Sequence, residues 1–389
     1  MNISVVGGGI AGLTVATALA QRGALVTVFE QAEAIKEVGA GLQISPNGLR
    51  VLRALGLERQ LASCSSKGKC VSLRRAESDR EVARLDLTRL PADQSYHFVH
   101  RADLIALLLD AAKQAGVNIQ LLQKIKAIEP GSPATLHFET GAQVHSDLII
   151  DAAGLHSPLR ATLNGDSEPF FTGQVAWRAV IPNTFGRSGD VQVHMAPKSH
   201  VVSYPLRGGA LINLVAVQER TLWADEGWSQ KDSVENLLAA FEGVAPSLRA
   251  MLEKVDTLHL WGLFRHPVAP NWHGESCALI GDAAHPTLPF LAQGANMALE
   301  DAWALCRALQ ESGPIDLRLE AFQELRHARV SKVVKAATGN AWKYHLPYGP
   351  TRFAAHLALG VGSKIAPNLM LRQFDWLYGY DITSQSFGK

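Results

Sequence analysis

The sequence lacks the features that mark secreted or nucleic-acid-binding chains. Its 389 residues include four cysteines, and no two of them form a Cys-x-x-Cys pair. Such sparse cysteines argue against a disulfide framework and favour a reducing compartment, so we predict a cytoplasmic protein. The formal net charge is +1, which gives no electrostatic reason to expect a nucleic acid or a membrane surface as partner.

Long hydrophobic runs are also missing. The apolar residues 353–365 are fewer than the ~20 of a membrane-spanning helix, and His356 and Lys364 interrupt them. The apolar N-terminus has no basic region before it, so a signal peptide is not predicted. Because 47% of the residues are hydrophobic, the chain can build a large core in two or three domain-sized units.

The motif around which the chain is organised lies at its N-terminus. Residues 3–6 form a short apolar run typical of a buried parallel strand, and residues 11–21 have helical character. The turn between them contains Gly7, Gly9 and Gly12. In this pattern the first glycine permits a tight turn, the second lets the backbone approach a pyrophosphate, and the third lets helix and strand pack closely. The N–H groups at the helix N-terminus then attract the anion.

A second strand, residues 25–29, ends immediately before Glu30. At that position a carboxylate can accept hydrogen bonds from an adenosine ribose. The combination of strand, glycine turn, helix and acid predicts a dinucleotide site. The alternative is a glycine-rich turn in an ordinary α/β domain.

The remaining sequence alternates between two kinds of pattern. Residues 71–96 and 170–261 are rich in alternating strand patterns, which predict a mostly antiparallel β-sheet substrate domain. Strand and helix patterns elsewhere predict a discontinuous nucleotide-binding domain formed by residues 1–70, 97–169 and 262–345, in which residues 318–345 form one long helix. Residues 346–389 predict a C-terminal helical segment. The predicted fold class is therefore α/β, with a Rossmann-like domain interleaved with the β-sheet domain and a helical C-terminus.

Four stretches together resemble one family, the single-component FAD-dependent aromatic hydroxylases with the para-hydroxybenzoate hydroxylase fold. They are residues 7–30, residues 147–160, Gly-Asp-Ala-Ala-His-Pro at 281–286, and residues 289–301. Shorter matches at residues 39–47, 100–104, 204–207 and 376–381 extend the resemblance from end to end. The branch that is most similar contains the salicylate and 3-hydroxybenzoate hydroxylases.

The resemblance implies a non-covalent FAD, since no histidine or cysteine lies in the stretches expected to face the flavin ring. Asp282 would accept a hydrogen bond from the ribityl chain, unless it only caps a helix. The helix that begins near Gly294 would direct its positive end at the reduced flavin. The predicted FAD-binding residues are Gly7, Gly9, Ala11, Gly12, Glu30, Gln31, Gly41, Arg101, Ile125, Asp282, Gly294, Ala295 and Asn296. No metal site is predicted.

One departure from the family pattern lies in its middle motif. The family usually has Gly-Ala-Asp-Gly, whereas this chain has Asp151, Ala152, Ala153 and Gly154. The usual acid is therefore replaced by Ala153. Because that acid supports flavin and nicotinamide handling in the family, the reductive half of the cycle is the least direct inference from the resemblance.

On the substrate side, the resemblance implies catalytic roles for His200, Tyr204 and Gln293. Residues i and i+4 of a strand lie on one face, so His200 and Tyr204 can both face the flavin. A histidine can take a phenolic proton, a tyrosine can orient the ring, and Gln293 would reach the substrate hydroxyl. The alternatives are a hydrogen-bonded sheet histidine at position 200, and an acid–base pair formed by Asp256 and His259.

These features together predict a flavoprotein monooxygenase. The resemblance implies that NAD(P)H reduces FAD, that O2 forms a flavin hydroperoxide, and that one oxygen passes to a small phenolic or N-heteroaromatic acid. A monomer or homodimer is expected. A flavin-dependent halogenase or another FAD oxidoreductase of the same fold is an alternative, although the halogenase motif Trp-x-Trp-x-Ile-Pro is incomplete here, with Trp177 present and Ala179 at the second tryptophan position. A nicotinamide-dependent dehydrogenase or a nucleotide-binding module is the non-oxygenase alternative.

Overall fold

The computed structural model describes residues 1–35, 40–220, 230–340 and 344–386. Within these ranges the chain forms twenty strands. The first ten are β1 (Asn2–Val6), β2 (Leu25–Phe29), β3 (Gly41–Ile44), β4 (Ser65–Lys67), β5 (Cys70–Arg75), β6 (Glu81–Asp86), β7 (His97–His100), β8 (Asn118–Gln120), β9 (Ile125–Glu129) and β10 (Ala134–Phe138). The others are β11 (Gln143–Ser146), β12 (Leu148–Asp151), β13 (Phe170–Pro182), β14 (Asp190–Ala196), β15 (Ser199–Leu206), β16 (Leu211–Glu219), β17 (Gln230–Lys231), β18 (His259–Arg265), β19 (His273–Gly274) and β20 (Cys277–Leu279).

The same described ranges contain twelve α-helices. They are α1 (Ile10–Ala20), α2 (Pro46–Ala54), α3 (Glu58–Cys64), α4 (Arg101–Gln114), α5 (Pro158–Asn164), α6 (Val234–Ala240), α7 (Pro246–Leu252), α8 (Gly294–Ala308), α9 (Ile315–Asn340), α10 (Pro350–Ile365), α11 (Pro367–Arg372) and α12 (Asp375–Tyr378). No helix of the described chain has both the length and the apolar character needed to cross a membrane.

A six-stranded sheet forms the nucleotide-binding half, in the order β19-β20-β12-β1-β2-β8. Its strands are parallel except for the antiparallel edge strand β19. The central strands are continuous apolar runs because both of their faces are covered, one by α1 and the other by the strands β9 to β11, whose Phe138 ring packs against that of Phe29 at 5.2 Å between centres. The helix α1 is buried along its length from Ile10 to Leu19, which places it at the centre of this core.

A second sheet has eight strands in the order β17-β18-β13-β16-β15-β14-β5-β6. Neighbouring strands are antiparallel except β14 and β5, which are parallel. Two three-stranded antiparallel sheets, β11-β10-β9 and β3-β7-β4, complete the β structure. The predicted α/β fold class, with a mostly antiparallel second sheet and a helical C-terminus, is confirmed.

Two local predictions differ from the structure. The long helix predicted over residues 318–345 corresponds to α9, which is described from Ile315 to Asn340; residues 341–343 lie outside the described residues, and Tyr344 and His345 are not α-helical. The glycine-rich loop predicted over residues 38–47 falls partly on residues 36–39, which lie outside the described residues. Its remainder contains strand β3, because its residues pair with β7 in register.

Candidate active site

A cavity of about 870 Å³ connects the two large sheets. At one end it is lined by the turns that follow β1, β2 and β12, and at the other by residues of β13, β15 and β16. In open parallel sheets, ligands bind outside the carboxyl ends of the strands, which is where this cavity begins. It is therefore the candidate site for both cofactor and substrate.

The glycine turn after β1 forms the wall at the nucleotide end. Gly7 has a φ of +99°, and a Cβ atom at Gly12 would lie 1.9 Å from the Gly7 carbonyl oxygen. A Cβ atom at Gly9 would meet no atom within 4 Å, so this glycine leaves space on the cavity side. Helix α1 then begins without a side-chain cap at Gly9, so its first N–H groups are available to an anion.

Glu30 lies beside this turn, as the sequence predicts. Its carboxylate accepts hydrogen bonds from the backbone N–H groups of Gly8 at 2.7 Å and Ala32 at 2.9 Å. Gln31 and Ile125 line the same end of the cavity. The carboxylate is thus held in place by the backbone at the edge of the cavity, where ribose hydroxyls can reach it.

The Gly-Asp turn after β20 and the N-terminus of α8 form a second wall. Asp282 is exposed to the cavity. Desolvation by the surrounding protein raises the pKa of its carboxyl, and the charges of His285 and Arg101 reduce that effect. Helix α8 begins at Gly294 without a side-chain cap, and Gly294 and Ala295 line the cavity. Two helix N-termini therefore face one cavity, which favours a ligand that carries negative charge in two places.

Two predicted cofactor residues, Gly12 and Asn296, are not among the residues that line the cavity. Gly12 packs against Gly7, which is the close helix–strand contact that the motif requires. The Asn296 amide accepts a hydrogen bond from Ser45 N–H at 3.0 Å and donates to the Gln43 carbonyl at 2.9 Å. The Asn296 side chain therefore ties α8 to β3 and the residue after it, and the contact of Asn296 with the cofactor stays a prediction.

Gln293 lines the cavity at the start of α8. Its side-chain N–H groups donate to Ser45 Oγ at 3.0 Å and the Leu291 carbonyl at 3.3 Å, and its Oε1 accepts from Asn47 Nδ2 at 3.0 Å. These hydrogen bonds hold the side chain in place, and its contact with a substrate hydroxyl stays a prediction.

His200 and Tyr204 line the other end of the cavity, on one face of β15. Burial raises the pKa of the Tyr204 phenol, so its hydroxyl stays protonated and can donate a hydrogen bond. Burial also lowers the pKa of His200 well below its ordinary value, with a further contribution from His345. A histidine that stays neutral near pH 7 can accept a proton, which is the chemistry that its predicted role requires.

The need for glycine at position 41 follows from its contact with this face of the cavity. A Cβ atom at Gly41 would lie 2.6 Å from the Tyr204 ring, and the Gly41 N–H donates to Asn213 Oδ1 at 2.6 Å. The residue therefore lets the start of β3 approach the second sheet. Asp256 and His259, the alternative acid–base pair, are not among the described residues that line the cavity.

Two arginines add positive charge to the cavity. Arg101 begins α4 and lines the cavity, as predicted. The sequence analysis missed Arg178, which lies on β13 with its guanidinium 4.4 Å from the centre of the Trp261 ring. Burial lowers the pKa of Arg178 to about 10, which still leaves it a cation at neutral pH. Its register through Val215 places it level with Val202, between His200 and Tyr204 along the sheet.

The acid at Asp151 does not replace the one that Ala153 lacks. Asp151 is fully buried, and its carboxylate accepts hydrogen bonds from Ser157 Oγ at 2.7 Å and from the backbone N–H groups of Ala153 at 2.9 Å and Leu159 at 3.2 Å. Burial raises its pKa, and these hydrogen bonds oppose that effect. The carboxylate therefore holds the turn, while Ala153 lines the cavity.

A buried ionic cluster supports the second wall, and no periodic pattern in the sequence predicts it. Glu300 and Asp301 on α8 contact Arg326 on α9 at 2.7 and 2.8 Å, and all three side chains are 0% exposed. Asp301 also accepts hydrogen bonds from Gly281 N–H at 3.0 Å and from His285. Burial opposes the ionisation of Asp301, but His285 and Arg326 outweigh it and lower its pKa to about 2. The cluster therefore fixes the turn that carries Asp282.

The cavity fits FAD by the chemistry of its donors. Gly9 provides the open approach that a pyrophosphate needs, while Glu30 and Asp282 provide acceptors for ribose and ribityl hydroxyls at opposite ends. The uncapped N-termini of α1 and α8 complement the negative charge of the phosphates and of the reduced ring. These features define an FAD-binding protein whose cavity extends to the face of the eight-stranded sheet.

Comparison with known proteins agrees with this definition. A family described as "FAD binding domain" matches residues 1–337. The 3-amino-4-hydroxybenzoate 2-monooxygenase of Streptomyces platensis is 33% identical over 392 residues, which cover 98% of this chain and 96% of that protein. The 3-hydroxybenzoate 6-hydroxylase of Klebsiella oxytoca is 31% identical, with coverages of 98% and 97%. A solved salicylate hydroxylase substrate complex has a TM-score of 0.81, 25% identity, and coverages of 98% and 96%.

The chain belongs to the FAD-binding domain family, among its aromatic flavoprotein monooxygenases. The resemblance inferred from the motifs is thereby confirmed, and so is FAD as the cofactor class.

Proposed function

We propose that this enzyme uses NAD(P)H and O2 to hydroxylate a small phenolic or N-heteroaromatic acid. One observation carries the proposal: the cavity runs without interruption from the glycine turn after β1 to a face of β15 that presents His200 and Tyr204. The relatives named above act on hydroxylated benzoates, which supports the same substrate class here.

The residues of the second sheet divide the work on the substrate. His200 accepts the proton of the ring hydroxyl and so raises the electron density of the ring. Tyr204 remains protonated and donates a hydrogen bond that orients the ring. Arg178 provides a cation on the same face of the sheet, which favours a substrate that carries a carboxylate.

The residues of the first sheet and its turns hold the cofactor. Glu30, Asp282 and the N-termini of α1 and α8 would bind FAD, which when bound supplies the redox chemistry of oxygen activation. The apolar residues Leu288 and Phe290 line the cavity, with the Phe290 ring centre 6.0 Å from that of His200, and limit the access of water. NAD(P)H is proposed as a transient reductant, because the sequence has no second dinucleotide motif.

A screen of matched aromatic compounds tests this proposal. Each hydroxybenzoate or hydroxypyridine carboxylate is compared with the corresponding amide for its ability to stimulate NAD(P)H oxidation, and the products are analysed. We expect the acids to stimulate oxidation and to gain one hydroxyl group, and the amides to be much weaker because they lack the charge that Arg178 complements. Equal stimulation by acid and amide would contradict the role of Arg178, and the absence of any hydroxylated product would contradict the proposed function.

The halogenase alternative gains no support from the site. Trp177 is 1% exposed, and its indole N–H donates to Asp232 at 2.8 Å. It packs against Phe241 with the ring centres 6.2 Å apart, on the face of the sheet away from the cavity lining. Trp177 is thus a core residue.

A further inference from the structure

His200 begins a chain of three hydrogen-bonded side chains. Its Nδ1 lies 2.7 Å from Nε2 of His345, and Nδ1 of His345 lies 2.7 Å from Oε1 of Glu219. His200 and His345 are 2% and 5% exposed, whereas the side chain of Glu219 is 38% exposed. The chain therefore runs from a residue that lines the cavity to a carboxylate that meets solvent.

Three separate parts of the sequence meet to form this chain. His200 lies on β15, Glu219 is the last residue of β16, and His345 lies between α9 and α10. Backbone hydrogen bonds hold the arrangement, since Lys198 N–H donates to the His345 carbonyl at 3.4 Å and Glu219 N–H donates to the Lys198 carbonyl at 2.8 Å. Because these backbone hydrogen bonds hold the segments of His345 and Glu219 against β15, the fold itself brings the three side chains within hydrogen-bond distance.

The carboxylate determines where the protons lie. Ionised Glu219 can only accept, so His345 carries its proton on Nδ1 and has a lone pair on Nε2. His200 Nδ1 must then donate to that lone pair, which leaves His200 Nε2 as the unprotonated nitrogen. That nitrogen makes no hydrogen bond to any residue in the described ranges, so it is the atom available to a substrate hydroxyl.

A proton taken up by His200 needs a route to solvent. Burial lowers the pKa of both histidines, while the hydrogen bond that His345 donates to Glu219 raises the pKa of His345 against that effect. The titratable or charged groups near the pair are Tyr344, whose ring centre is 5.2 Å from that of His200, Glu219, and Lys198, whose backbone carbonyl accepts a hydrogen bond from Glu219 N–H. Of the two histidines, only His345 has a carboxylate partner, so positive charge is better accommodated there.

We propose that His200, His345 and Glu219 form a proton relay that removes the substrate's hydroxyl proton from the cavity. The inference rests on the proposed function. The substrate O–H bond breaks as an Nε2–H bond forms on His200, and the Nδ1 proton of His200 passes to Nε2 of His345. The Nδ1 proton of His345 then passes to Glu219 and on to solvent. His345 and Glu219 are positioning residues, since they act through His200.

The variants Glu219→Gln and His345→Gln test the relay. The measured quantities are the pH at which a bound phenolic substrate ionises, read from its ultraviolet absorbance on the oxidised enzyme, and the rate of product formation. We expect both variants to keep their FAD and to shift this ionisation to higher pH. Hydroxylation should slow near the lower end of the ~10²–10⁴-fold range for lost proton transfer, and more in His345→Gln, because glutamine cannot pass a proton between two partners.

A matched control lies in another sheet. His137 on β10 contacts Glu129 on β9 at 3.1 Å and is not among the described residues that line the cavity. His137→Gln should leave the ionisation pH and the rate of hydroxylation unchanged. If His345→Gln loses FAD or solubility, Glu219→Gln decides alone, because its side chain is partly exposed and can be replaced without opening the core.

The outcomes separate the relay from the function. If wild-type enzyme hydroxylates the substrate and Glu219→Gln behaves as wild type in both measurements, the relay is wrong and the proposed function stands. If no hydroxybenzoate or hydroxypyridine carboxylate is hydroxylated by the wild-type enzyme, the proposed function fails first.

Discussion

Asp282 is the residue on which the flavin end of the cavity depends. It follows the buried strand β20 in the turn Gly281–Ala283, and the buried cluster around Asp301 fixes that turn from behind. Asp282→Asn keeps the size of the side chain but replaces an ionised acceptor with a neutral amide. We expect lower FAD occupancy in the purified protein and an unchanged melting temperature of the apoprotein. Full flavin content measured by absorbance, with wild-type turnover, would show that Asp282 does not bind the cofactor.

Variants of His200 and Tyr204 should change different steps of the reaction. His200→Ala should retain FAD and its reduction by NAD(P)H, lose product formation by ~10²–10⁴-fold, and release hydrogen peroxide instead. Tyr204→Phe should mainly raise the KM for substrate, because only an orienting hydroxyl is lost. The measurement is product formed per NAD(P)H consumed, across pH.

The pH profile of the wild-type enzyme adds a second criterion. A histidine whose pKa is held well below 6.5 stays neutral and able to accept a proton at pH values below 6.5. Any loss of activity due to protonation of His200 should therefore lie below that pH. Tight coupling in His200→Ala, together with an unchanged pH profile, would reduce His200 to a residue of the sheet.

At the residue scale, the sequence predicted which side chains lie at the cavity better than it predicted the hydrogen bonds that they form. Glu30, Asp282, His200 and Tyr204 lie at the cavity because strand ends and strand periodicity determine their direction. Gln293 and Asn296 were assigned to ligands, and the sequence did not predict that their side-chain amides also form hydrogen bonds with Ser45. Such hydrogen bonds join residues about 250 positions apart, so no local pattern reveals them.

At the scale of the element, the glycines of the first strand–turn–helix unit serve two purposes. Gly12 is needed for folding, and Gly9 is needed for binding FAD. Gly12→Ala would place a Cβ atom 1.9 Å from the Gly7 carbonyl oxygen, whereas a Cβ atom at Gly9 meets nothing within 4 Å. We therefore expect Gly12→Ala to yield little folded protein. Gly9→Ala should fold with a normal apoprotein melting temperature and bind FAD weakly, because its methyl group occupies the space reserved for the pyrophosphate.

Thermal melting and FAD titration of the two variants check this division. Gly9→Ala with unaltered FAD affinity would show that the pyrophosphate lies elsewhere, and a well-folded Gly12→Ala protein would show that the close helix–strand contact can relax. The sequence motif predicted this element fully, because all of its determinants lie within thirty residues. The start of α9 at Ile315, three residues before the predicted start, was not predicted.

At the scale of the whole molecule, Arg326 joins helix α9 to the second wall of the cavity. Arg326→Met leaves Glu300 and Asp301 buried with one cation fewer, and losing one partner of a buried ion pair costs ~3–5 kcal/mol. We expect the free energy of unfolding, measured with denaturant, to fall by about that amount. Arg53→Ala is the control, since Arg53 and Glu58 are 39% and 41% exposed and such pairs contribute ~0–1 kcal/mol. Equal losses in the two variants would contradict the structural role of the cluster.

The central claim is that one cavity brings FAD and an aromatic acid together for the transfer of oxygen. The most direct test is turnover under ¹⁸O2 with NAD(P)H and the acid that most stimulates its oxidation, followed by mass spectrometry of the product. We predict that each product molecule gains one oxygen atom and that this atom is ¹⁸O. A product that carries oxygen from water, or oxidation of NAD(P)H that yields hydrogen peroxide alone with every aromatic acid, would contradict the claim.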